Sequence, residues 1–317
     1  MLRIRNYINN PKLILLGLLK KTARLYPDKF YLKAYYRLEM GSKLNLKEPK
    51  TFNEKLQWLK LYDRNPEYIQ MVDKIAVKKY VANIIGEEYI IPTLGIWDTF
   101  EDIDFDKLPN QFVLKTNHSG GSNGVVICKD KSTLNIEAAR RKLNKSLRTN
   151  YFYKTREWPY KKIKPCILAE KYLEDESGLE LKDYKFFCFN GEPKIIQVDF
   201  HRFEDHTRNI YDIDWKLLDL KIKLKNDPNF IINKPLELNK MLEFASILSK
   251  NIPHLRVDFY YANGKIFLGE LTFYHGSGTE NFIPNNWNYK LGCWIEFTQV
   301  EKQKKHKNIK TLFQRFV

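Results

Sequence analysis

The stretch 255–278, "LRVDFYYANGKIFLGELTFYHGSG", sets Arg256, Asp258 and Glu270 among Phe, Tyr, Val and Leu. Isolated charges on a buried strand surface are costly, so these residues either face water or hold something. Asn263-Gly264 signals a hairpin, and two registers compete. A two-residue turn pairs Ala262 with Lys265. A three-residue loop pairs Tyr261 with Lys265, sets Arg256 opposite Glu270 and Asp258 opposite Leu268, and brings Thr272 to the same side. Val257, Phe259, Tyr261, Phe267, Leu271 and Phe273 then share the other face. A one-residue slip exchanges the two sets, and the three-residue loop separates polar from apolar better, so it is the expected register. Asp258, Glu270 and Thr272 would form an oxygen-rich patch without His or Cys. Such a patch suits Mg2+, which takes one or two carboxylates and completes its shell with substrate phosphates. The alternative is a cross-strand Arg256–Glu270 ion pair on a solvated face.

Three more stretches could work with it. In "FVLKTNHSGGSNGVVICKD" a flexible loop of Ser119, Gly120, Gly121, Ser122, Asn123 and Gly124 joins two strands. Glycines let backbone N–H groups approach an anion. No Gly-Lys-Ser/Thr closes the loop and no helix comes after it, so it reads as a lid on a hairpin and not as a P-loop. An ordinary hairpin loop is the plainer reading. Alternation puts Val113, Lys115 and Asn117 on one face, with an ammonium just below the loop. "ILAEKYLEDE" reads as a buried strand interrupted by Glu170-Lys171. It could present alternate backbone groups to an adenine edge, or be a plain edge strand with exposed charges. In "VDFHRFEDHTRNIYDIDW", Arg202, His206 and Arg208 come just after a strand. Arg is well shaped to capture carboxylate or phosphate with two parallel hydrogen bonds. With His275 these residues are expected to face an acceptor; a solvated turn is the alternative.

The elements that must position these residues fall into three regions. Residues 1–88 read as helical. "NNPKLILLGLLKKTARLY" opens at Asn-Pro and continues as a basic amphipathic run, either packed or lying on an anionic membrane face. Thr51 with Glu54 forms a capping box at the next helix start. Another helix covers 67–84 and ends at Gly86. From Tyr89 strands dominate, at 89–97, 112–117, 125–130 and 166–173, with hairpins turning at Asn190-Gly191 and Asn263-Gly264. Helices are expected over 134–147 and 236–250. Antiparallel hairpins without a βαβ succession make the class α+β. The expected division is a helical region at 1–88, a small lobe with the glycine loop at 89–173, and a large lobe at 174–317 with the metal site and a C-terminal helix.

Composition bounds the partners. Of 317 residues, 43% are hydrophobic and 14% aromatic, enough for a sizeable core. The net charge of +16 favours anionic ligands, although the lysines are spread along the chain. No RNA-binding signature accompanies the charge, so nucleic acid is not an expected partner. Cys128, Cys166, Cys188 and Cys293 lack metal-ligand spacing, which fits a reducing, cytoplasmic compartment. The apolar run "LILLGLL" is far short of the roughly 20 residues that span a bilayer, leaving a soluble or peripheral protein.

In this order the stretches resemble the ATP-grasp superfamily, in particular its TupA-like branch, found among bacterial cell-surface polysaccharide genes. The likeness runs from about Thr51 to Phe297 through "TFNEKLQWLKLYD", "DKIAVKKYV", "FVLKTNHSGGSNGVVI", "ILAEKYL", "DYKFFCFNGEPKIIQVDFHRF" and the 255–278 stretch. The resemblance implies two α+β lobes with antiparallel sheets gripping ATP. It implies that Lys74 and Lys115 contact the phosphates under the 119–124 loop, and that Glu170, Lys171 and Leu173 line the adenine pocket. By the same likeness Lys185 reaches the nucleotide, Asp258 and Glu270 hold Mg2+, and Arg256 stabilises the transferring phosphoryl group. Two features depart from the family pattern. Thr272 stands where the superfamily has a metal-binding Asn, with Tyr274-His275-Gly276 in place of the later Pro-Gly. The N-terminal region is helical where relatives have an α/β domain.

The resemblance implies a carboxylate–amine ligase working through an acyl phosphate, on a uronic-acid-containing sugar, nucleotide- or lipid-linked, and an amine. Two alternatives stay open: an ATP-grasp kinase that stops at phosphoryl transfer, and a glycosyltransferase using the D-x-D pairs Asp102/Asp104 or Asp212/Asp214.

Overall fold

The computed structural model describes residues 11–175, 181–200, 206–230 and 232–297. Leu16 and Leu19 of α1 (Pro11–Lys21) pack on Tyr31 and Tyr35 of α2 (Asp28–Met40). Helix α3 (Phe52–Tyr62) starts at the expected capping box: Thr51 Oγ1 accepts from Glu54 N, and Glu54 Oε2 accepts from Thr51 N at 3.1 Å. The single helix expected over 67–84 is instead two, α4 (Tyr68–Val72) and α5 (Ala76–Ile85). Asp73 causes the break. Its Oδ1 accepts from Ile75 N at 2.9 Å and Ala76 N at 3.4 Å, a local side-chain turn that competes with the helix. The break frees Lys74 N to donate to Asn117 O at 3.0 Å, across to the glycine-loop segment.

Strands β1 (Thr93–Trp97), β2 (Phe112–Thr116) and β3 (Val125–Cys128) are succeeded by α6 (Ile136–Leu147), α7 (Tyr151–Thr155) and β4 (Ile167–Lys171). The four strands form one antiparallel sheet in the order β1-β4-β2-β3. Phe112, Leu114, Ile167 and Ala169 bury one face against Leu143 of α6. The other face therefore carries Val113, Lys115, Leu168 and Glu170, because alternate side chains point to opposite sides.

The second sheet uses β5 (Asp183–Phe189), β6 (Glu192–Phe200) and β7 (Thr207–Asp212), then, after β8 (Lys221–Ile222) and α8 (Leu238–Leu248), β9 (Leu255–Ala262) and β10 (Lys265–Thr272). Its order is β10-β9-β5-β6-β7, again antiparallel. Met241, Ala245 and Leu248 of α8 join a core with Phe186, Ile196, Val257 and Phe259. β11 (Phe282–Ile283) pairs with β8, and α9 (Asn286–Trp294) is the C-terminal helix of the described residues. The architecture is α+β. Strand β7 rules out the alternative of a solvated turn at Arg208: residues 207–212 pair with β6, and Arg208 is buried opposite Asp199, with half-buried His206 just before the strand. Arg202 lies outside the described residues.

The β9–β10 hairpin also corrects the expected register. Asn263 at φ 51° and Gly264 at φ 74° make the two-residue turn, with Ala262 opposite Lys265. Between Leu268 and Glu270 the register shifts at Gly269, and beyond it Glu270 pairs with Asp258, Leu271 with Val257 and Thr272 with Arg256. A β-bulge of this kind adds one residue to one strand and re-aims the side chains beyond it. The polar patch survives with different partners, Asp258 facing Glu270 and Arg256 facing Thr272. Phe267 is only half-buried, while Ile266 and Leu268 join the core.

Gly292 of α9 lets this helix close on the start of α3, since a Cβ there would lie 2.3 Å from Lys50 O and 2.8 Å from Phe52 N. Backbone cannot yield to that contact. Gly292→Ala should lower the urea-unfolding free energy by about 1–3 kcal/mol, the cost of overpacking.

Candidate active site

A cleft runs between the two sheets. Val77, Ile90, Ile91 and Leu268 supply apolar walls; Lys74, Lys78, Lys115 and Glu170 supply charge. Two lysines grip one carboxylate: Lys115 Nζ lies 2.5 Å from Glu170 Oε2, and Lys78 Nζ lies 2.7 Å from Oε1. Burial works to raise the Glu170 carboxyl, but Lys115 and Lys78 outweigh it and hold the group below the usual carboxylate range. Lys74 Nζ donates to Ser119 O at 2.6 Å, and burial pushes its ammonium down. Lys78 was not among the residues expected here. The i, i+4 spacing from Lys74 in "DKIAVKKYV" was the available signal. Lys171 and Leu173 stand outside this lining; Lys171 is exposed and its backbone N–H donates to Pro92 O at 3.0 Å.

The glycine loop is anchored at its base and open at its tip. Asn117 Nδ2 donates to Asp73 Oδ2 at 3.2 Å and to Lys164 O at 3.0 Å, and Ser119 is buried. Gly120 lies so near Tyr151 that a Cβ would fall 2.9 Å from the phenol oxygen. Gly124 is hemmed by Thr116 and Ser119, whereas Gly121 and Ser122 are exposed.

On the facing sheet, Lys185 of β5 stands opposite Asp258 of β9, and its Nζ reaches Asp258 Oδ2 at 3.1 Å and Asp183 Oδ2. Arg256 meets Asp258 through two parallel bonds, Nε to Oδ1 at 2.7 Å and NH2 to Oδ2 at 2.6 Å. The same NH2 donates to Glu270 Oε1 at 2.9 Å and Thr272 Oγ1 at 3.1 Å. The residues expected at the metal patch are thus brought together. Asp183 was missed, although its spacing of two from Lys185 puts both on one face. The D-x-D acids are turn caps: Asp102 accepts from Thr99 Oγ1 at 2.7 Å, and Asp212 from Asp214 N at 3.0 Å.

The chain matches the TupA-like ATPgrasp family over residues 54–296. It belongs to that family. No curated protein matches it significantly. Among solved structures it is similar to D-alanine–D-alanine ligase from Bacillus anthracis, with 20% identity, TM-score 0.42, and coverage of 75% of this chain and 69% of that one. The same ligase from Helicobacter pylori gives 16% identity, TM-score 0.41, and coverage of 77% and 69%. An ADP complex of N5-carboxyaminoimidazole ribonucleotide synthetase gives 18%, 0.39, 69% and 50%. As a member of an ATP-grasp family, the protein is an enzyme that uses ATP.

In this ATP-grasp cleft the fit of a divalent cation is tested by the acids. Asp258 and Glu270 face one another, and the Glu270 side chain is 37% exposed on the cleft side. Among the described residues no group of three or more His, Cys, Asp or Glu is placed to hold a metal alone. Two carboxylates and a hydroxyl, Asp258, Glu270 and Thr272, are donors of the kind a hard ion takes when it shares its shell with phosphate oxygens, and such an ion would compete with Arg256 and Lys185 for Asp258. Burial works to raise both carboxyls; Lys74 and Arg256 outweigh it at Glu270, whose value is lowered, but Asp258 remains raised.

Behind Arg256 lies a relay that the sequence reading did not foresee. Arg256 NH1 lies 2.8 Å from His275 Nδ1. A guanidinium only donates, so Nδ1 accepts. Burial pushes His275 down to about 4, so near neutrality the ring is uncharged and its one proton is on Nε2. Nε2 stands 2.9 Å from Glu280 Oε2, and Glu280 in turn lies near Arg208 NH1 (3.7 Å) and Lys223 Nζ (3.3 Å). Burial opposes ionisation of Glu280, but His275, Arg208 and Lys223 hold its carboxyl well below the usual range. Arg208 Nε is also bound to Asp199 Oδ1 at 2.5 Å, with half-buried His206 3.6 Å from the same oxygen. Arg256 thus sets the tautomer of His275, and Glu280, 2.9 Å from Nε2, is a positioning residue that supports the ring from its other side.

Glu280→Gln should lower kcat about tenfold or more, the scale of losing one buried charge contact, with nucleotide Kd nearly unchanged. Equal losses in both would refute the positioning role. The pH response has a defined sign. An unfolded His takes its proton near 6.5 but His275 only near 4, so its contribution to stability is full above 6.5 and lost as pH falls toward 4. Urea midpoints of His275→Asn should therefore change less than those of the wild type across that window.

Proposed function

We propose that the protein is an ADP-forming carboxylate–amine ligase acting on a uronic-acid-containing sugar in surface-polysaccharide assembly. The observation that supports it most is the facing of Asp258 and Glu270 across the hairpin, with Arg256 between them and the lysine-lined cleft opposite. In this reading the adenine ring lies between the apolar walls Val77, Ile91 and Leu268, and the triphosphate runs toward Lys74 and Lys115. Phosphoryl transfer needs position and charge neutralisation more than covalent chemistry. Asp258, Glu270 and Thr272 would hold Mg2+, which when bound neutralises charge on the β- and γ-phosphates.

The substrate carboxylate oxygen attacks the γ-phosphorus as the bond to the β–γ bridging oxygen breaks, releasing ADP and leaving an acyl phosphate. The amine nitrogen then attacks the acyl carbon, the C–O bond to phosphate breaks, and the amine proton passes to solvent or base. Arg256 stabilises the equatorial oxygens of the transferring group. The exposed loop tip at Gly121 and Ser122 closes over them and keeps water from the acyl phosphate. Half-buried His206 borders the acceptor end, while buried His275 and Arg208 support Arg256 through Glu280. An ATP-grasp kinase would use the same first step and stop there.

Incubation with ATP, Mg2+, uronic acids and amines decides between these readings. A ligase releases ADP and phosphate only when both acceptors are present, and Glu270→Gln abolishes the release. ADP release with a carboxylate or hydroxyl acceptor and no amine would favour the kinase. Release of nucleotide from a sugar nucleotide without ATP would sink both in favour of a glycosyltransferase.

A further inference from the structure

Helix α1 has two apolar sides, and the fold uses one of them. Leu16 and Leu19 are buried against Ala23, Tyr31 and Tyr35. Ile14, Leu15 and Leu18 remain 43%, 53% and 54% exposed, and Leu25 and Phe30 just beyond are 77% and 56% exposed. With Leu13, six of the 16 exposed large hydrophobic residues among those described fall within residues 13–30, too concentrated for scattered surface apolarity. Lys12, Lys21, Arg24, Lys29 and Lys33 of the same hairpin are exposed as well, Lys20 being paired with Glu39 at 3.2 Å, and residues 1–40 hold nine Lys and Arg against two acids.

We propose that the α1–α2 hairpin docks the enzyme in the plane of an anionic lipid surface, with Ile14, Leu15 and Leu18 entering the acyl boundary and the basic residues meeting the headgroups. Apolar residues accompanied by Lys and Arg suit such an interface. Charge argues against other occupants. A second copy would bring the same positive charge, and residues 298–317 carry six Lys and Arg against one acid. No helix among the described residues is long and apolar enough to cross a membrane, so the contact is with one leaflet.

The docking face is tied to the active cleft. Arg156 is buried and donates through NH2 to Ala23 O at 2.5 Å and Tyr26 O at 3.0 Å, while its NH1 donates to Tyr153 O at 2.7 Å. Tyr31 Oη adds a bond to Lys154 O at 2.8 Å. These bonds clamp the hairpin to α7, whose Tyr151 abuts Gly120 of the glycine loop. A lipid surface held by α1 would thus lie at a fixed relation to the cleft, where an enzyme on a membrane-anchored substrate needs it. Lipid binding is read without ATP or acceptors, so this inference stands or falls apart from the proposed reaction.

The test is co-sedimentation of the full chain with vesicles of phosphatidylcholine, with or without phosphatidylglycerol, at low and high salt. The wild type should pellet with the anionic vesicles, less so at high salt. Leu15→Ser/Leu18→Ser, which alters only exposed side chains, should weaken partitioning about tenfold or more at unchanged melting temperature. Failure to pellet with anionic vesicles would overturn the proposal, as would undiminished binding by the double variant. So would self-association lost in that variant, or binding that appears only once residues 298–317 are removed.

Discussion

Asp258 and Glu270 face each other across two strands, and two acids so placed, with one of them fully buried, could not both stay ionised without the Arg256 guanidinium that bonds to both. Breaking such a buried arrangement by removing one member leaves a charge without compensation, which costs far more than the intact network contributes. The remaining polar contacts answer this demand. Lys185 meets Asp258 from β5, Thr272 bridges to Glu270, and His275 accepts from NH1 of Arg256. The result is a guanidinium held by partners on several sides, fixed in place before any phosphate arrives.

The opposite wall of the cleft obeys the same rule with the signs exchanged. Three lysines reach the cleft, and Glu170 is the carboxylate that makes two of them tolerable there. An entering triphosphate would compete with Glu170 for Lys115 and Lys78. Charge balance within the protein thus prepares a place for an anionic ligand without leaving ammonium groups uncompensated in its absence. The broken helix serves the same end, because Asp73 both interrupts it and binds Asn117, holding Lys74 beside the glycine-loop base.

The polar relay from Arg256 through His275 to Glu280 and Arg208 joins the reaction centre to strand β7 and the short β8–β11 pair. Tertiary geometry, not local sequence, assigns the imidazole proton here. A donor-only guanidinium on one side leaves the carboxylate side as the place for the hydrogen. Residues read from the sequence as acceptor contacts are in part the supports of that relay, Arg208 above all.

The sequence alone determined whatever depends on neighbours a few residues away. The capping box at Thr51, the Asn-Gly turns, the alternation that puts Lys115 on one face, and the α+β class are all local patterns, and motifs in order identified the family. Tertiary structure decided whatever depends on a partner far along the chain. The expected hairpin register failed because a turn and a bulge at Gly269 together give nearly the same polar face as a longer loop, and hydrophobic pattern alone does not distinguish them. The helix over 67–84 broke at Asp73, whose side chain turns back on Ile75 and Ala76 while its other oxygen accepts from Asn117 far along the chain. Strand β7 formed because β6 offered an open edge, and Lys78 and Glu280 joined the site because burial among distant charges leaves each of them few other partners.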